Sequence, residues 1–157
     1  AWASLSRRFP DWHLLIAGDD QGYGPELARL IAQHGLQARV TVSGMLAGQK
    51  KTAALSHAEL FVLPSYSEGF SMAILEALAS GLPTAISRPC HVPEISARGC
   101  GLEFDAEPGA VRRVLEELLS ADKETIRVMG ENSRALARDR FDWDRIARDF
   151  LTACREM

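Results

Sequence analysis

Short apolar runs, each bounded by glycine or proline and each separated from the next by a helical stretch, recur along the whole chain, and this alternation constrains the fold most. Residues 12–17 (Trp-His-Leu-Leu-Ile-Ala) stop at Gly18, and 39–43 (Arg-Val-Thr-Val-Ser) stop at Gly44. Residues 60–63 run into Pro64, 83–87 form a fourth run and 101–104 a short fifth. Apolar segments of this length between breakers read as buried strands. Between them, Gly24-Pro25-Glu26 opens a helix with proline at the first helical position and an acid beside it. Leu27, Leu30 and Ile31 supply its apolar stripe and Gly35 stops it. Further helices are predicted over 49–57 and 71–80, the latter ended by Gly81 and barred from continuing by Pro83. The last third reads as helix over 109–120, 123–139 and 143–156. Asp142 caps the final one, and Trp143, Ile146, Ala147, Phe150 and Leu151 keep helical spacing. Strands alternating with helices predict α/β architecture: a Rossmann-like, mostly parallel sheet with right-handed crossovers and helices on both faces.

The 157 residues suit one domain with its own core, and 46% hydrophobic with 25% charged residues is a globular composition. A net charge of −3 without a basic stripe argues against nucleic acid as a partner. No apolar run is long enough to span a membrane. No signal peptide is recognised, and the opening Ala-Trp-Ala-Ser-Leu-Ser-Arg-Arg reads as a helix entered midway, so the chain is expected to begin inside a larger protein. Cys90, Cys100 and Cys154 are odd in number and lack zinc spacing, which fits reduced thiols in a cytoplasmic protein.

In parallel sheets ligands bind beyond the carboxyl ends of the strands. That edge carries Gly18-Asp19-Asp20, Gly44-Met45-Leu46, Ser65 to Ser71 and Arg88 to Pro93, four loops expected to line one cleft. Two carboxylates stand out there. Glu68 sits on a strand-to-helix turn. Glu76 is the only charge in a helix otherwise made of Met72, Ala73, Ile74, Leu75, Ala77, Leu78 and Ala79, and a helix without a polar face is expected to be buried. A buried carboxylate needs a partner, and a ligand hydroxyl would serve. Two plainer readings stand beside this one: Ser65-x-x-Glu68 as a capping box, and Glu76 as a core residue paired with an arginine. Gly69, Phe70 and Ser71 open the helix, where free backbone N–H groups and the dipole favour phosphate, and Gly69 lets it come close. Glu76 lies five residues beyond Ser71, roughly 7–8 Å along the axis, about the offset from a pyrophosphate to a ribose. The spacing suits a nucleoside diphosphate, with Glu68 facing the group it carries.

Glu68-Gly69-Phe70-Ser71…Glu76 resembles the E-x7-E motif of retaining glycosyltransferases of family 4, also called group 1. Leu15-Ile16-Ala17-Gly18-Asp19, Arg39 to Gly44, Ala58 to Ser65, Glu76 to Pro83 and Phe141-Asp142-Trp143 are similar to further motifs of that family, so the likeness covers nearly the whole chain. The resemblance implies the C-terminal, donor-binding half of a GT-B enzyme. It transfers sugar with retention from a UDP- or GDP-sugar, without a cofactor or divalent metal. By the same resemblance Glu68 is the catalytic residue at the donor sugar; Gly69, Phe70 and Ser71 hold phosphate and sugar through backbone; Glu76 holds the ribose; Gly44, Met45 and Leu46 meet the base. Gly18 stands on the donor side at the end of the first strand; His91, by its place on a strand-end loop, meets donor or acceptor or points to solvent. The partners implied are an N-terminal acceptor domain and, for the full-length enzyme, the inner membrane surface. An apolar face of the last helix that is exposed or self-associating is also implied.

Two departures qualify the match. The arginine and lysine that usually clamp the diphosphate have no counterpart, and Arg7 and Arg8 read as a solvated helix end. Where many members carry Gly-Gly in the loop after the fourth strand, this chain reads Arg88-Pro89-Cys90-His91-Val92-Pro93-Glu94. Asp142-Trp143-Asp144 imitates a metal-binding D-x-D but is explained by a cap and a first-turn acid. Gly22-Tyr23-Gly24 lacks the third glycine of a dinucleotide fingerprint. The alternatives are another GT-B activity, such as a sugar-nucleotide epimerase or a phosphorylase, and a non-enzymatic or receiver-like module using Asp19-Asp20.

Overall fold

The structure is a computed structural model that describes residues 1–155. The chain divides into two compact units, Ala1–Ala54 and Leu55–Met157. In the first, α1 (Trp2–Leu5) precedes β1 (Leu14–Ala17), α2 (Gly24–Gln33) and β2 (Val40–Gly44). β1 and β2 pair in parallel from Leu14 opposite Val40 to Ala17 opposite Gly44, with an irregularity between Ile16 and Ala17. α2 begins where the Gly-Pro-Glu signal put it. Asp20 Oδ1 accepts from the backbone N–H groups of Gly22 (2.9 Å) and Gly24 (2.8 Å), so this carboxylate builds the turn into α2. Leu27, Leu30 and Ile31 are half-buried, and α2 has no fully buried residue. The unit boundary falls within α3 (Gly48–His57).

The second unit holds β3 (Phe61–Leu63), α4 (Met72–Ser80), β4 (Thr84–Ser87), a 3-10 turn at Arg88–Cys90, α5 (Glu94–Ala97), β5 (Gly101–Phe104), α6 (Pro108–Ser120), α7 (Lys123–Phe141) and α8 (Trp143–Arg155). Its three strands are parallel, in the order β3-β4-β5. All four residues of β4 are buried, as a central strand packed on both faces must be. One face bears a cluster of Ile74, Leu78, Ile86, Cys90, Ile95, Cys100 and Leu136; the other bears Ala85, Phe104, Ala110 and Leu118. α7 lies on α4 where two glycines meet. A methyl group at Gly130 would stand 2.4 Å from the Gly81 carbonyl oxygen, so only glycine lets the two helices approach this closely.

Most predicted boundaries hold to within two residues. The turn at Arg88–Cys90 and the short α5 were not predicted, although Pro93-Glu94 carries the same proline-acid start that announces α2. Residue 156, the predicted end of the last helix, lies outside the described residues. Asp142 caps α8 as expected, its Oδ1 accepting from the N–H groups of Asp144 (3.1 Å) and Arg145 (3.3 Å).

Candidate active site

The loops following β3 and β4 leave the same edge of the second unit's parallel sheet. The first, residues 64–71, carries Glu68 and the start of α4. Ser65 Oγ donates to the Ser67 carbonyl (2.8 Å), so Ser65 builds a local turn here, and the helix cap is Ser71, not Ser65. Ser71 makes no side-chain cap bond, which leaves its hydroxyl and the first-turn N–H groups of α4 available to an anion. The helix starts at Met72, so Gly69, Phe70 and Ser71 precede its first turn.

The second loop, 88–93, turns through Arg88–Cys90 and places His91 in the left-handed region (φ 55, ψ 40). Among the described residues His91 is the only non-glycine with positive φ. Strain of this kind on a side chain other than glycine collects at functional sites.

The two loops enclose a cavity of about 220 Å³ lined by Gly69, Phe70, Ser71, Leu75, Cys90, His91, Val92, Glu94 and Phe141. Four predicted site residues, Gly69, Phe70, Ser71 and His91, are therefore brought together. Phe141, at the end of α7, closes the cavity by an edge-on contact with Phe70 (centroids 6.1 Å apart). Glu94 meets Arg140 at 3.4 Å. Phe141 and Glu94 were missed as walls of the site. Phe141 is the first residue of the Phe141-Asp142-Trp143 motif, which marked it as part of the family pattern but not as a cavity wall.

Glu68 and Glu76 lie beside this cavity in sequence but not among its lining residues, and both are half-buried. This corrects the expectation of a wholly buried α4. Ile74, Ala77 and Leu78 are buried, whereas Met72 is 59% exposed and Ala73 and Ala79 are exposed. The exposed side of α4 is covered by alanines and a methionine, which solvent tolerates singly. Burial therefore does not oblige Glu76 to find a ligand, and its case rests on position.

Gly18, Gly44, Met45 and Leu46 belong to the first unit. The Gly18 N–H donates to the Gly44 carbonyl (3.0 Å), joining the ends of β1 and β2. Gly44 has φ 70, Met45 is 68% exposed and Leu46 is half-buried. Ser43 Oγ also donates to the Gly44 carbonyl (3.1 Å), and the Met45 side chain is open to solvent at this strand end.

Comparison with known proteins bears on the whole of this arrangement. The model of the family "Glycosyl transferases group 1" matches residues 1–136. The chain is 34% identical over 122 residues to an MMP alpha-(1->4)-mannosyltransferase of Mycolicibacterium hassiacum, covering 76% of this chain and 29% of that protein. It is 33% identical over 150 residues to a D-inositol 3-phosphate glycosyltransferase of Corynebacterium glutamicum, covering 91% and 35%. It thus spans about a third or less of the length of these relatives. Sucrose-phosphate synthase from Thermosynechococcus elongatus superposes with a TM-score of 0.81 at 25% identity, over 98% of this chain and 40% of that one. The Anabaena protein HepE, solved in complex with UDP, gives 0.82 at 22% identity, over 94% and 42%. These likenesses establish the α/β Rossmann-like fold. The family model covers most of the chain, and the chain belongs to the group 1 glycosyltransferases.

Proposed function

We propose that this chain is the donor-binding half of a retaining glycosyltransferase that takes a sugar from a nucleoside-diphosphate sugar. The observation that carries the reading is the start of α4: its first-turn N–H groups lack a side-chain cap and open beside the cavity wall of Gly69, Phe70 and Ser71. An anion there gains both hydrogen bonds and the helix dipole. Glu68 precedes this anion site and Glu76 follows it by roughly 7–8 Å. Phosphates at Gly69–Ser71, ribose hydroxyls on Glu76 and the transferred sugar on Glu68 and His91 use each group once. The HepE relative binds UDP, which supports a nucleotide donor. The acceptor is assigned to the part of the enzyme outside this chain. A cytoplasmic setting is assigned from the odd number and spacing of the cysteines, and a place of the full-length enzyme at the membrane surface from the family resemblance.

Titration calorimetry with UDP and GDP tests this. Binding between micromolar and millimolar is expected, about −4 to −8 kcal/mol, because no arginine–lysine clamp is present. Glu76→Ala removes a charge-assisted hydrogen bond of roughly 1.5–3 kcal/mol and should weaken the nucleotide accordingly. Glu68→Ala should leave nucleoside diphosphate binding within twofold of the parent and abolish turnover in the full-length enzyme. Parent-like binding by Glu76→Ala would remove the ribose assignment.

A further inference from the structure

Ser87, the last residue of β4, is fully buried and plays no part in the donor site as assigned. Its Oγ donates to the Ser65 carbonyl at 2.5 Å, with the Leu63 carbonyl more distant at 3.5 Å. The Cys90 thiol shares this polar pocket, 3.6 Å from Ser87 Oγ and 3.8 Å from the Leu63 carbonyl.

Ladder register places Ser87 beside the start of this loop. β3 and β4 pair from Phe61 opposite Thr84 to Leu63 opposite Ile86. The next residues in register are Pro64 and Ser87. Phe61 donates its N–H to the Pro83 carbonyl, so alternate residues of β3 face β4, and Pro64 faces away from it. Regular pairing ends at Leu63, and beyond it the Ser87 hydroxyl takes the Ser65 carbonyl. From there the hold continues, because Ser65 Oγ donates to the Ser67 carbonyl (2.8 Å), directly before Glu68. Two hydroxyls thus tie a loop without regular structure to the most buried strand of the unit.

We propose that Ser87 is a positioning residue: through Ser65 it sets the conformation of the loop that carries Glu68. Only the second arm of the test rests on Glu68 contacting the donor sugar.

In the first arm, backbone ¹⁵N order parameters are measured for the parent chain, Ser87→Ala and Ser87→Thr. Residues 66–69 should be rigid in the parent, near 0.85, and fall below about 0.6 in Ser87→Ala, while Ala85 and Ile86 keep parent values. Ser87→Thr retains the hydroxyl and should restore the parent pattern. An unchanged loop in Ser87→Ala, a uniform loosening of the whole unit, or a loop as mobile in Ser87→Thr as in Ser87→Ala would each overturn the proposal. If Ser87→Ala does not fold, Ser87→Val against the isosteric Ser87→Thr decides it by the same criterion. In the second arm, UDP-glucose and UDP are titrated into the same chains. Ser87→Ala should lose at least threefold of any preference for the sugar nucleotide while binding UDP as the parent does. A parent that binds both equally removes the assignment of Glu68 to the sugar, and the order parameters then judge the hold of Ser87 on the loop by themselves.

Discussion

The two units use the same strand-helix-strand grammar and reach different degrees of burial. In Leu55–Met157, β4 is covered on both faces and two apolar clusters flank it. In Ala1–Ala54, only Leu5, Ser6, Leu36 and Val40 are buried; Leu15 and Val42 in the two strands are 43% and 51% exposed. Two strands alone are marginal, whereas three with packed helices support themselves. Glycine usage differs in the same sense. Every positive-φ position described in the first unit is a glycine, whereas the second holds His91 against strain beside its cavity. A strained side chain persists only where the surroundings over-determine it. The loops that carry Glu68 and His91 sit on the unit that can hold them.

Core truncation should give the largest contrast. Leu78→Ala, in the α4 face of the core, is expected to cost about 2–5 kcal/mol. Val42→Ala should change stability by less than about 1 kcal/mol, as exposed positions do. Chemical denaturation read by circular dichroism measures both, and equal losses would break the comparison.

Gly130→Ala comes next. In an ordinary helix interior this change stabilises by about 1 kcal/mol. Here the added methyl meets the Gly81 carbonyl at 2.4 Å, and overpacking of roughly 1–3 kcal/mol opposes that gain. A net loss of up to about 2 kcal/mol is expected in the same assay. A gain would mean that α4 and α7 can separate without cost.

The smallest effect sharpens the point about strain. His91→Gly relieves a left-handed conformation costing roughly 1–2 kcal/mol, offset by about 0.5–1 kcal/mol of extra chain entropy. A gain of roughly 0.5 kcal/mol in thermal unfolding is expected, together with weaker UDP-glucose binding. A variant that is both less stable and equally good at binding would make His91 a packing residue.

Much of this was legible beforehand, for reasons that differ by element. Gly18, Gly44, Pro64 and Gly81 marked the element ends because their backbone chemistry acts locally. The E-x7-E spacing put Glu68 and Glu76 on either side of a helix start because helical rise is fixed. The exposed apolar face of α8 was anticipated too: Trp143 is 80% and Phe150 67% exposed. What escaped were relations across the sheet. The bond from Ser87 to Ser65 depends on strand register, which no local pattern encodes, and the burial of α4 on one side only depends on what lies against it. Two contiguous glutamate-bearing elements were found; the wall supplied by Phe141, more than 60 residues away in sequence, was not.

The placement of the tryptophans gives the molecule an optical asymmetry. Trp2 and Trp12 are half-buried in the first unit, with Trp2 Nε1 donating to the Arg39 carbonyl (3.3 Å), and Trp143 stands in solvent on α8. Trp143 therefore emits much as it would in water, whether the chain is folded or not. Changes in intrinsic emission during unfolding will follow the thinner unit, while far-ultraviolet dichroism follows the helices of the other. Transitions that fail to coincide would show the halves melting separately, and emission alone would report the loss of one unit as the loss of the whole chain.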